Sequence, residues 1–200
     1  MKKTAVYLVL SLTLVSLAAC NKQKDNNNSI QESENYPESI NSETAQNINA
    51  LALHDKLMAS FSDDWIERES DPDLYPEYYG GSFIDNNGNF IIAVTGNMDK
   101  NREYLTDILG TDNFKIETGR YSYREMMRVM DHIDDFLVNS SIPNDHPVLI
   151  RFAGAYPDVM ENRVKVLLTE VNDDIISTFK KDVSNSPLII FEQGEIPELY

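Results

Sequence analysis

The chain has 200 residues, 42% of them hydrophobic, with a formal net charge of −16 and a single cysteine. An acidic surface of that size repels nucleic acid and anionic lipid headgroups, and its main effect is solubility. One cysteine excludes an internal disulfide framework, so the fold must rest on its hydrophobic core alone.

The chain opens on an address. Lys2 and Lys3 precede an apolar run from Ala5 to Leu17, interrupted only by Ser and Thr, and then Leu17-Ala18-Ala19-Cys20. Residues 1–19 have the layout of a secretory signal and are too short for a membrane span. Their end resembles the lipobox of bacterial lipoproteins, which implies lipidation of Cys20. Two or three acyl chains, at roughly 0.8 kcal/mol per buried methylene, would hold the protein on a bilayer. The expected partner is therefore the membrane, through the lipid on Cys20, and the expected location is the bacterial cell membrane, facing the periplasm or the exterior. Loss of residues 1–19 removes two lysines and no acid, leaving 15 basic against 33 acidic residues, a net charge of −18.

Residues 20–49 are rich in Asn, Gln, Ser, Glu and Lys and bury too little to offset the entropy of ordering, so they are expected to form a flexible tether. Residues 50–77 form a lead-in. Leu51, Leu53, Leu57, Met58, Phe61, Trp65 and Ile66 recur at spacings that predict one or two short helical turns, with Trp65 covering the edge of the core. The two prolines of Asp71-Pro72-Asp73-Leu74-Tyr75-Pro76 end this stretch.

A globular domain is expected over 78–200. Tyr79 to Ile84 and Phe90 to Val94 flank Asn87-Gly88, a pair that suits a two-residue type I′ turn; that turn would set Phe83 opposite Ile92 and Ile84 opposite Ile91. A helix over 99–109, stopped by Gly110, and a strand over 114–117 complete a first lobe, 78–119. Ser122 with Glu125 three residues on is a capping-box pattern opening a helix over 122–138, with Met126, Val129, Met130, Ile133, Phe136 and Leu137 on its apolar face. The second lobe, 146–194, is expected to hold strands over 148–152, 163–169 and 188–191 and a helix over 173–183. A shift of about 74 residues lays Phe90, Ile92 and Val94 on Val164, Val166 and Leu168. The predicted class is therefore α+β: two pseudo-repeated hairpin-helix-strand lobes (β-β-α-β) joined by a central amphipathic helix.

Three sets of residues invite a chemical reading. His54 near the tether, His132 in a helix and His146 in a loop lie in no nucleophile-like context, so a hydrolytic triad is not expected. Asp131, His132, Asp134 and Asp135 splay around a helix and read as a solvated face. Asp85, Asn87 and Asn89 have the alternate spacing of a calcium loop, yet Phe90 stands where such a loop needs glycine. No catalytic residue, metal or cofactor is expected.

Tyr79-Gly80-Gly81-Ser82-Phe83-Ile84-Asp85, Asn86-Asn87-Gly88-Asn89-Phe90, Ile92-Ala93-Val94-Thr95, the Tyr121-Ser122-Tyr123-Arg124-Glu125-Met126 helix start and the later Glu161-Asn162-Arg163-Val164-Lys165-Val166 carry a resemblance. Over about 78–192 the chain resembles the pro-regions of alpha-lytic protease and the streptogrisins. The resemblance implies a folding-assistant domain whose last strand and tail dock on a chymotrypsin-like protease, here with no protease domain after Tyr200. The expected function is non-enzymatic binding of another protein, a protease in the first instance, as inhibitor or folding aid. Tyr78, Tyr79, Glu198, Leu199 and Tyr200 are the candidate partner-binding residues. The alternative is an accessory envelope lipoprotein that binds a small ligand or maintains the cell surface.

Overall fold

The computed structural model describes residues 42–196, an α+β fold of five α-helices and two three-stranded sheets. Cys20, the signal and most of the expected tether lie outside the described residues, as do Glu198, Leu199 and Tyr200.

The first lobe pairs β1 (Tyr79–Ile84) with β2 (Phe90–Val94) antiparallel, and β2 with β3 (Lys115–Thr118) in parallel. The parallel partner needs a crossover, which α3 (Met98–Leu109) supplies. Asn97 caps its start by accepting from the Lys100 N–H, and Gly110, at φ 67°, ends it in the left-handed conformation. The second lobe repeats the plan. Strands β4 (Phe152–Asp158) and β5 (Arg163–Leu168) are antiparallel, α5 (Asp173–Asp182) crosses over, and β6 (Ile189–Gln193) lies parallel to β5. Each hairpin even carries a register shift in its first strand, between Tyr79 and Gly81 and between Phe152 and Gly154. Between the lobes runs α4 (Tyr123–Leu137), opened by the predicted capping box: Ser122 accepts from the Glu125 N–H while Glu125 accepts from the Ser122 N–H.

Two cores result. Phe90, Ile92 and Val94 face Leu105 and Leu109 in the first, and Val164, Val166 and Leu168 face Met126, Ile133 and Phe179 in the second. Tyr123 packs against both.

The structure departs from the sequence expectations at four places. Helix α1 (Ser42–Phe61) starts inside the stretch expected as tether and is no brief lead-in; Ala50, Leu53, Leu57 and Met58 are buried in the first core. Its Lys56 ammonium donates to the Leu109 carbonyl, at the end of α3 where a cation suits the helix dipole. Trp65 opens the short α2 (Trp65–Ser70) and is exposed, so it covers no core edge. The hairpin pairs Phe83 with Ile91 and Ile84 with Phe90, one residue off the expected register. The reason is the turn: Asp85 accepts from the Gly88 N–H and donates to the Asn89 carbonyl, and only Gly88, at φ 76°, is left-handed, which gives a three-residue loop with a glycine bulge. Finally, 148–151 form hydrogen-bonded turns after Pro147, and the strand begins at Phe152. Pro157 is tolerated there because β4 lies at the edge of its sheet.

Candidate functional site

The lobes meet around Asn162. This residue stands in the β4–β5 turn at φ 53°, the left-handed region that Asn enters more readily than most side chains. Its amide Nδ2 donates to the Gly80 carbonyl (3.0 Å) and the Tyr121 carbonyl (2.8 Å), and its Oδ1 accepts from the Tyr121 N–H (2.7 Å). One buried side chain thus ties the second hairpin to the first and to the start of α4. Gly81, at φ 117°, closes the same seam: a Cβ there would meet Val159 at 2.7 Å. Arg163 lies over the Tyr121 ring, 5.1 Å from its centre, and donates to the Tyr121 hydroxyl. On the other side of α4, Arg124 donates to the Tyr75 and Asp73 carbonyls.

Beside this junction lies a cavity of about 220 Å³. Tyr75, Tyr79 and Tyr123 form an aromatic wall, Tyr75 and Tyr123 meeting edge-on at 4.7 Å. Ser82 Oγ sits 2.9 Å from the Tyr79 hydroxyl and 3.2 Å from His54 Nδ1. Arg68 lines the cavity too; its Nη1 donates to the Ser62 carbonyl, whereas its Nε is buried without a partner. Glu69, exposed at the mouth, accepts from the Tyr75 hydroxyl at 3.2 Å. Burial lowers the His54 pKa, opposed in part by Asp55, and raises that of Tyr75 to about 12, with the charge of Glu69 adding to the effect. The site therefore holds a neutral imidazole, intact hydroxyls and one cation, with the Glu69 carboxyl group at its edge. His54 and Ser82 touch, but no carboxylate hydrogen-bonds the far ring nitrogen among the described residues, so the orienting acid of a triad is missing.

The other candidates are placed as follows. Tyr79 is buried in the first core at 3% exposure and can meet a partner only through the cavity. Tyr78 is half-buried, its ring edge-on to Tyr104 and its hydroxyl without a partner. The Asp85 carboxylate is filled by its own turn, accepting from the N–H groups of Asn87 and Asn89 and the Asn89 side chain. Those bonds, the Asn89 side chain first, hold its pKa low. Asp131 and Asp134 are pushed up by burial and then by neighbouring acids. Among the described residues no group of three His, Cys, Asp or Glu side chains is placed to hold a metal ion. His146, anticipated only as a loop residue, bridges Asp182 at 3.3 Å and so pins the end of α5.

The sequence reading missed Asn162, Arg68 and the His54–Ser82 contact. Once α1 is taken as one helix, Ala50, His54 and Met58 fall on a single stripe, which is the signal that turns His54 inward.

At the far end, β6 pairs with β5 on one side only, so it forms an edge of the second sheet. Gly194 donates to the Leu168 carbonyl, and a Cβ there would meet the Leu167 Cβ at 2.9 Å; beyond it Glu195 and Ile196 are exposed. The chain thus leaves the sheet at Gly194.

Family models match both halves of this architecture. One, described as a Pro-like N-terminal domain, covers residues 20–119, and the second, a Pro-like C-terminal domain, covers 124–194. The chain belongs to the Pro-like N-terminal domain family. The boundary between the two matches falls at the start of α4, beside the Tyr121–Asn162 junction, and both fit a pro-region-like domain. No curated protein matches the chain.

Proposed function

We propose that this protein is a membrane-anchored, non-enzymatic pro-region-like protein that binds a chymotrypsin-like protease as inhibitor or folding aid. The observation that carries the reading is the pair of Pro-like matches, one on each lobe, on a fold whose final strand is an edge that continues into an exposed tail. An edge strand offers a row of backbone donors and acceptors to an incoming chain, and Ile189 to Gln193 form such a row, from which the sequence runs on to Tyr200. Glu198, Leu199 and Tyr200 would then supply side-chain contacts, with Tyr78 at the rim of the first sheet. Anchoring follows from the lipobox-like ending at Cys20, which would fix the folded part to the bacterial membrane on its periplasmic or outer side.

The test is inhibition and refolding of the secreted chymotrypsin-like proteases of the source cell by the purified full-length protein, beside a variant lacking 195–200. Slow, tight inhibition or recovery of activity from denatured protease is the expected result, weakened at least about tenfold by the truncation. Failure of the intact protein to inhibit, bind or refold any of them would overturn the reading.

A second reading, an accessory envelope lipoprotein that captures a small ligand, is favoured by one observation: the cavity beside Arg68.

A further inference from the structure

Arg68 stands out by its Nε–H, which with the Tyr78 hydroxyl is one of two buried side-chain polar atoms without a partner among the described residues. The chain carries 33 acidic residues against 17 basic ones. Arg124, Arg128 and Arg151 have carboxylate partners and Arg102, Arg120 and Arg163 lie over aromatic rings, whereas Arg68 has neither among the described residues. A buried donor left unpaired on a charged group is costly, and a native fold keeps such a group where something else pairs with it.

The surroundings define what that is. Tyr75, Tyr79 and Tyr123 offer ring faces and edges, and Met58 and Val159 add apolar surface from α1 and from the second hairpin's turn. Ser82, the Tyr79 hydroxyl and His54 form a chain of neutral polar groups. A cavity of about 150 Å³ accepts benzene, so about 220 Å³ admits a benzene-sized ring bearing a small polar group. We infer that this cavity binds a small aromatic monocarboxylate, its carboxylate on the Arg68 guanidinium and its ring against the three tyrosines. Arg68 is the one cation among the described lining residues, so it pairs with at most one negative charge. Glu69, also in the lining, opposes any anion and a dianion such as phosphate the more, and the uncharged His54 adds no second cation to hold one. Because Val159 and Tyr123 contribute to the wall, an occupant would touch both lobes at once.

This inference does not depend on a protease partner, and its test is separate. Phenylacetate, phenylacetamide and inorganic phosphate are titrated at pH 7 into the full-length protein, followed by calorimetry and by the ring NMR signals of His54, Tyr75, Tyr79 and Tyr123. Phenylacetate is expected to bind and to shift those signals. The amide should bind at least about tenfold more weakly, the factor carried by a hydrogen bond to a charged group. Arg68→Gln should lose the same factor for phenylacetate, while Arg151→Gln, remote from the cavity, should not. Absence of ring-signal shifts at millimolar phenylacetate, equal affinity for acid and amide, or tighter binding of phosphate would each overturn the assignment. Should Arg68→Gln fail to fold, the comparison of acid with amide on the unaltered protein decides.

Discussion

Asn162 concentrates in one side chain what holds the lobes in register. Replacement by alanine leaves the Gly80 and Tyr121 carbonyls and the Tyr121 N–H without their buried partner and puts at φ 53° a residue that enters the left-handed region less readily than asparagine. Asn162→Ala is expected to cost about 2–4 kcal/mol in urea unfolding, and Asn162→Gly somewhat less, since glycine adopts that backbone freely. Equal stability of both variants and the unaltered protein would show that the seam carries no weight. Lys165 is a second such residue. Its ammonium lies 3.0 Å from Asp158, 2.8 Å from Glu161 and 3.1 Å from Glu192, and those bonds raise its pKa. A raised lysine stabilises the fold fully below its unfolded value near 10.4, losing that contribution only as pH rises beyond it. For Asp158, burial pulls the pKa up, but the Glu161 N–H and Lys165 outweigh it, so its folded pKa is low and its contribution is present above about pH 4 and lost as pH falls. The unaltered protein should therefore lose stability on acidification between about pH 5 and 3. In Lys165→Met three acids face one another without a cation, so the slope over that range should become shallower, while Asp85, Glu170 and Asp182, held low by other partners, keep its sign. Chemical denaturation at stepped pH reads the slope directly, and parallel slopes would refute the arrangement.

At the scale of elements, α1 is the one whose weight is most easily misjudged. Leu57 is fully buried between α1 and the first sheet, so Leu57→Ala should cost roughly 2–5 kcal/mol; a cost below about 1 kcal/mol would return α1 to the margin of the fold. The sequence hides this because the first half of α1 is polar, while Ile48 and Leu51 are exposed and the small Ala50 is buried. The apolar stripe is thus displaced from the residues that look most apolar. By contrast α3, α4 and α5 were legible, since their caps at Asn97, Ser122 and Asn172 are local and their stripes regular. The hairpin was legible as a hairpin but not in register: Asn-Gly signals a turn, whereas the glycine bulge depends on Asp85 reaching across to Asn89. Strand β4 was misplaced because Val148, Leu149 and Ile150 outrank Ala153-Gly154-Ala155 in strand propensity, and only pairing with β5 makes the latter a strand. The cavity was illegible for a related reason, since His54, Arg68, Ser82, Tyr123 and Val159 converge from five separate segments.

For the whole molecule the question is whether two lobes, each with its own core, behave as two folding units. The described lobes share α4, which packs on β1 in one and on β4 and β5 in the other, and Tyr123 belongs to both cores. Each half alone is small for a disulfide-free core, so the shared helix and the Asn162 seam should couple them into one transition. Amide hydrogen exchange tests this at Ile92 in β2 and Val166 in β5, which sit at equivalent positions of the two sheets. Met126→Ala empties a fully buried position of α4 that belongs to the second core, at an expected cost of about 2–5 kcal/mol. If the lobes unfold together, protection at Ile92 falls by the same free energy as at Val166, although Ile92 lies in the other core. If protection falls at Val166 alone, the lobes open independently, and the second sheet with its edge β6 could rearrange while the first stays folded.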